Sequence, residues 1–211
     1  MRIQRLAKQV LDRVLAFVLL VLLTPLFAVV IGWILVDSGR PVFFVYPRAG
    51  RFGRPFPMLK FRTMIPDAIE VGRAQKLSED PFGLLPKDPR ITGCGSFLRR
   101  TSLDELPQLL NVIRGEMSLV GPRPDLLEQA AHYTEHDRRR LDVLPGITGW
   151  SQVHGRDEVT WPERIEQDLW YIEHWSLWLD LKILAATTGE LFRDEPTPIE
   201  DTVNIERARG K

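Results

Sequence analysis

From Val14 to Val36 the chain carries no charged side chain. As a helix this run of about 23 residues would be roughly 35 Å long, enough to cross a hydrocarbon core of about 30 Å. A cleaved signal peptide is a poor fit: the apolar run is too long, and Asp37-Ser38-Gly39-Arg40 follows it instead of a small-x-small cleavage pattern. Both flanks are basic, with Arg2, Arg5, Lys8 and Arg13 before the run and Arg40, Arg48, Arg51 and Arg54 after it. Because Lys and Arg are retained on the cytoplasmic side, this pattern favours keeping both ends on one side of the membrane. Thr24-Pro25 lies near the middle of the run. Proline removes a backbone donor and clashes with the preceding turn, and a threonine hydroxyl can bond a nearby carbonyl. The expectation is a broken, re-entrant helix over residues 1–38, with a kinked spanning helix as the alternative.

Residues 39–193 read as one mixed domain, without repeats or low-complexity stretches, and residues 194–211 as a loosely ordered tail. Val42 to Tyr46 and Phe56 to Thr63 are β-prone and flank a turn-rich, basic stretch, Pro47 to Arg54, predicting a β-hairpin. Its basic tip is either a solvated turn or a contact for anionic lipid headgroups. Helices are expected over Pro66–Leu77, Leu103–Ile113 and Asp125–Leu144, with a loop over Ser78–Arg90 and a tight turn at Pro145–Gly149. Trp161, Trp170, Trp175 and Trp178 crowd the C-terminal part. Tryptophan favours the headgroup level of a bilayer, so Pro162–Phe192 is expected to form helices lying partly at the membrane surface, an aromatic core being the alternative. The fold class is therefore α+β and mostly helical: a single small domain with a broken membrane helix, a β-hairpin and interfacial amphipathic helices.

Twenty-eight basic residues balance twenty-eight acidic ones, which argues against a nucleic-acid partner. Cys94 is the only cysteine, so neither an internal disulfide nor a multi-cysteine zinc site can form.

Chemistry concentrates in Phe97 to Val112. Ser102-x-x-Glu105 matches a capping box at a helix start, although Pro107 sits poorly beyond a first turn. The same carboxylates also read as chemical groups. Asp104 and Glu105 are hard oxygen ligands suited to Mg²⁺. Arg99 and Arg100 lie just upstream, and Arg123 and Arg156 stand beside glycine or proline further on. Arginine forks suit phosphate, and a carboxylate can attack phosphorus only where the phosphate charge is neutralised.

Leu103-Asp104-Glu105-Leu106-Pro107-Gln108, Gly115 to Pro124 and Pro145 to Trp150 together resemble the bacterial sugar transferase family, the small monotopic phosphoglycosyl transferases. Lys60-Phe61-Arg62-Thr63-Met64 resembles that family's first soluble motif. The resemblance implies a re-entrant helix broken at Thr24-Pro25 and inserted from the cytoplasmic face of the bacterial inner membrane. It implies an Asp104-Glu105 dyad that requires Mg²⁺, held at those two residues. Asp104 would take a sugar phosphate from a UDP-sugar, release UMP and pass the phosphosugar to polyprenol (undecaprenyl) phosphate. This would be the first membrane step of polysaccharide or glycoconjugate assembly. Lys60, Arg62, Arg99, Arg123, Arg156, Asp168 and Tyr171 are the implied substrate-binding residues. Phospholipids are the implied environment, and the oligomeric state is open. His154 stands where asparagine is common, and Gly93-Cys94-Gly95-Ser96 is less basic than in many members; the sugar stays open. A Mg²⁺-dependent nucleotide-sugar hydrolase and a non-enzymatic membrane adaptor are the alternatives.

Overall fold

A computed structural model describes residues 2–74, 88–155 and 159–190. The apolar run folds as two helices, α1 (Arg2–Leu22) and α2 (Thr24–Ser38). Among the described residues no single helix is long and apolar enough to cross a bilayer, but this pair is by length and composition, and it bends by 62°. Pro25 stands in the first turn of α2, where its missing N–H costs least. The Thr24 hydroxyl donates to the Leu20 carbonyl at 3.0 Å. Leu6, Val10, Val14, Phe17, Val21 and Leu22 on α1, and Val29 and Val36 on α2, are exposed. So much outward apolar surface suits lipid rather than water, and the bent pair fits a re-entrant segment.

The hairpin forms as expected. Strand β1 (Phe43–Ala49) pairs antiparallel with β2 (Pro55–Phe61), with Phe43 opposite Phe61 and Arg48 opposite Phe56. After it come α3 (Ala68–Ala74), which starts two residues after the expected Pro66 (75–77 lie outside the described residues), and α4 (Gly93–Arg100). Most of the expected loop, 78–87, also lies outside the described residues. A 3-10 turn at Leu103–Glu105 precedes α5 (Gln108–Arg114).

Three expectations are corrected here. Leu103–Ile113 is not one helix: after the left-handed Ser102 (φ 53°) a 3-10 turn runs only to Glu105, and the chain restarts at Pro107, which serves as the N-cap of α5. Proline thus stands where its absent N–H is harmless. Asp125–Leu144 is not one helix either. It divides into α6 (Leu127–Ala131), α7 (Glu135–Arg138) and a 3-10 turn, Arg139–Asp142. Thr134 restarts the chain by capping the Asp137 N–H, while Tyr133 is buried. Pro145–Gly149 is not a turn: Gly146–Thr148 is strand β4, parallel to β3 (Ser118–Val120). At the end of this pair the backbones touch; a Cβ on Gly146 would lie 2.1 Å from the Gly121 nitrogen. Only glycine permits that approach, which joins two loops far apart in sequence.

Short α8 (Trp150–Val153) then leads to α9 (Trp161–His174) and α10 (Leu177–Glu190), the expected C-terminal helices. On α10, Leu177, Trp178 and Leu181 face outward, and Trp170 of α9 is also exposed. Trp161 and Trp175 instead turn their ring N–H groups to Asp125 and Asp180, at 3.3 and 3.1 Å.

Two apolar clusters hold the chain together. One unites Ala16 of α1 with Phe56, Met58, Leu109, Val112, Leu119, Tyr171 and Ile183; the other joins Val30 and Ile34 of α2 to Phe61, Cys94 and Leu98. Leu103 and Leu106 pack on the second cluster, while Leu109 and Val112 belong to the first. The Leu103–Glu105 turn is thereby pinned between them, beside the C-terminal half of the membrane helix.

Candidate active site

Helix α4 aims the dyad. Thr92 caps it, accepting from Gly95 N–H at 3.0 Å, and its last turn delivers Arg99 and Arg100. The left-handed Ser102 then reverses the chain, so that Asp104 and Glu105 point toward β2. No side-chain cap is made by Ser102, and the Glu105 carboxylate goes to Lys60 and Arg123. The capping-box reading of Ser102 and Glu105 is therefore rejected.

Lys60 Nζ lies 2.8 Å from Glu105 Oε1 and 3.4 Å from Asp104 Oδ2. Arg123 Nη2 also donates to Glu105 Oε1, at 3.2 Å. Lys60 is held in register by Asn111 of α5, which plugs into β2: its Oδ1 accepts from Leu59 N–H at 3.1 Å and its Nδ2 donates to the Pro57 carbonyl at 2.8 Å. Arg99 donates through Nε to Thr63 Oγ1 at 2.8 Å and adds positive potential at Asp104.

These contacts set the two carboxylates apart. Burial is the largest influence on both and favours the neutral form. For Glu105 the charges of Lys60 and Arg123 overcome it and pull the pKa from 4.5 to about 2. Asp104 goes the other way: burial, reinforced by the charge of Glu105, outweighs Lys60, Arg99 and Arg123, and its pKa rises above 3.8. The dyad's first proton therefore belongs to Asp104. The pair thus sets an aspartate more basic than usual beside a glutamate that is ionised at neutral pH, a combination of the kind found where a carboxylate serves as a nucleophile.

Asp104 Oδ1 and Glu105 Oε2 receive no hydrogen bond from the described residues. No group of three or more metal-ligating His, Cys, Asp or Glu side chains occurs among the described residues. Two carboxylate oxygens side by side do fit Mg²⁺, which usually takes one or two carboxylates and fills its shell with substrate phosphates and water.

The remaining expected residues divide. Arg62 donates to Ser38 and Gly39 at the end of α2, at 2.8 to 2.9 Å; its charge faces the negative end of the membrane helix rather than the dyad. Asp168 and Tyr171 are buried and make no contact with the dyad. Asp168 accepts from Arg140 Nε at 2.6 Å and from Ser151 at 2.8 Å, and Tyr171 donates to Asp180 at 2.6 Å. Asp180 also meets Lys8 of α1 at 2.7 Å, so Tyr171 belongs to a network that ties the membrane helix to the body. Arg156 lies outside the described residues.

Sequence reasoning missed Arg140. It is buried between Asp168 and Asp125, bonds Tyr133 at 2.8 Å, and donates from Nη2 to the Arg123 carbonyl at 2.7 Å. Arg140 thus fixes the backbone from which Arg123 reaches Glu105. Within Asp137-Arg138-Arg139-Arg140 nothing marks which arginine turns inward.

A family model described as bacterial sugar transferase matches residues 3–194. The chain belongs to the bacterial sugar transferase family. Among relatives, the uncharacterized sugar transferase EpsL of Bacillus subtilis (strain 168) is 40% identical over 96% of both chains. The undecaprenyl-phosphate galactose phosphotransferase of Salmonella typhimurium is 38% identical over 91% of this chain and 42% of its own length. The UDP-glucose:undecaprenyl-phosphate glucose-1-phosphate transferase of Xanthomonas campestris pv. campestris is 44% identical over 86% of this chain and 38% of its own. The chain spans less than half the length of these last two family members.

Proposed function

We propose that this transferase moves a sugar phosphate from a UDP-sugar to polyprenol phosphate, at the cytoplasmic face of the bacterial inner membrane. The observation that carries the reading is the split dyad: a buried, basic-shifted Asp104 fixed by Lys60 against an ionised Glu105, beside a helix pair suited to lipid. The names of the Salmonella and Xanthomonas relatives support the donor and acceptor classes.

In the first half-reaction an Asp104 oxygen forms a bond to the sugar-bearing phosphorus. The bond from that phosphorus to the bridging oxygen breaks, and UMP leaves with the electron pair. In the second, a phosphate oxygen of the lipid attacks the same phosphorus, the bond to Asp104 breaks, and the carboxylate is restored. The product is polyprenol-diphosphate-sugar, the first lipid-linked unit of a polysaccharide or glycoconjugate. Lys60 and Arg123 hold Glu105, and Lys60 also orients Asp104 for attack through Oδ2. Asp104 Oδ1 and Glu105 Oε2 would hold Mg²⁺, which supplies charge neutralisation at the diphosphate. A covalent relay lets one small site serve two dissimilar substrates in turn. On this reading residues 1–38 are the anchor, 39–193 the catalytic domain and 194–211 a tail.

The test is UMP release from a panel of UDP-sugars, with and without polyprenol phosphate, using the detergent-solubilised protein. Turnover that requires the lipid supports the proposal; equal turnover without it would make the protein a nucleotide-sugar hydrolase.

A further inference from the structure

Arg48 was expected at a solvated or lipid-facing hairpin tip, and the structure puts it elsewhere. It lies near the end of β1, where its backbone bridges Leu126 and the Ala49 N–H donates to the Asp125 carbonyl at 3.0 Å. This seats Arg48 against the segment Arg123–Leu126. Its guanidinium is 5.9 Å from the Tyr46 ring, and its Nε is fully enclosed without a hydrogen bond. Among the described residues Arg48 has no ion pair. The nearest carboxylates are spoken for: Asp125 by Arg140, Tyr133 and Trp161, and Glu105 by Lys60 and Arg123. Arg123, a like charge, is the strongest charged neighbour, and burial together with Arg123 holds the Arg48 pKa below its ordinary value.

A half-buried guanidinium whose Nε is sealed off, beside a second cation and with no ion pair among the described residues, is costly for the fold. Lys60, Arg99 and Arg123 act on the two carboxylates of the dyad, and Arg48 feels the repulsion of Arg123 more strongly than the attraction of Asp125 or Glu105. Resting on the transfer reading above, we infer that Arg48 is a phosphate-binding residue of this site, forming with Arg123 a paired guanidinium seat for a substrate phosphate. The shared chemistry is a phosphate ester, from the nucleotide-sugar or from the lipid phosphate. The unfavourable charge would then be relieved only when substrate binds.

Arg48→Met and Arg48→Lys separate this from a packing role. Without substrate, Arg48→Met should melt at or above the wild-type temperature, because an uncompensated charge is removed. With substrates, its KM should rise roughly tenfold or more for one of the two, and Arg48→Lys should recover part of the loss. A higher KM for the UDP-sugar assigns the seat to the donor, and one for polyprenol phosphate to the acceptor. Unchanged KM for both would overturn the inference, as would a lower melting temperature in both variants with KM unchanged in Arg48→Lys. Inorganic pyrophosphate gives a reading independent of turnover. It should raise the melting temperature of wild type more than that of Arg48→Met, even if lipid-dependent transfer is absent. An equal rise in both would count against Arg48.

Discussion

Glu105 accepts a hydrogen bond from Lys60 at 2.8 Å, joining the 3-10 turn to strand β2 across 45 residues of chain. That contact leaves the two carboxylates unequal, one held ionised and the other raised. Lys60 lowers the pKa of both, so its removal lifts both. In Lys60→Gln the acidic limb of the pH–rate profile for UMP release should move to higher pH, and the rate at the optimum should fall about 100-fold. A limb that stays in place would contradict the electrostatic role of Lys60.

Stability should depend on the dyad in opposite senses. Glu105 titrates near 2 in the fold and at 4.5 ordinarily, so its contribution is present above pH 4.5 and is lost as pH falls toward 2. Asp104 has a raised folded pKa; its contribution is present below 3.8 and is lost as pH rises through the folded value. Asp104→Asn should therefore melt above wild type at neutral pH while losing activity, and Glu105→Gln should show a flatter acid dependence between pH 4.5 and 2. Thermal unfolding across pH measures both.

Asp168 and Arg140 form a buried pair at 2.6 Å that supports Arg123 through its carbonyl. Removing Asp168 leaves Arg140 with Asp125 as its remaining carboxylate partner and takes away the bond that fixes its Nε. Asp168→Asn should cost about 1.5–3 kcal/mol of stability by denaturation, the range for losing a buried hydrogen bond to a charged group. Residual folded enzyme should show weakened turnover, because the Arg123 loop loses its brace. An Asp168→Asn protein as stable as wild type would remove Arg140 from its bracing role.

The parts of this arrangement written in local pattern were legible in the sequence. The break at Thr24-Pro25, the hairpin over Phe43–Phe61 and the C-terminal helices follow from proline chemistry, β-propensity and the crowding of tryptophans. Lys60, Arg123 and the dyad were named together from motifs, and the structure brings them within hydrogen-bond distance. What escaped was set by tertiary contact. Gly146–Thr148 pairs as a strand only because Ser118–Val120 lies beside it, and Arg140 is distinguished from Arg138 and Arg139 only by the carboxylates it meets. Asp125–Leu144 reads as continuous because it holds neither proline nor glycine to mark a break, whereas Thr134 begins a new helix there. Arg48 read as a surface charge because nothing within a hairpin foretells that its end will dock on Leu126.

The bend at Leu23 predicts where the first residues lie. With the native Cys94 changed to serine, a cysteine introduced as Gln4→Cys should react with a membrane-impermeant reagent only after intact cells are opened. Labelling from outside would show a crossing helix. Replacing Pro25 with leucine should straighten the pair and shift the label toward the outer face.

The most direct measurement is mass spectrometry of the purified protein after brief exposure to a UDP-sugar without polyprenol phosphate. The account predicts one added sugar phosphate, esterified to Asp104, released when the lipid phosphate is supplied, and absent from Asp104→Asn. A well-folded protein that completes lipid-dependent transfer without ever carrying that adduct would contradict it.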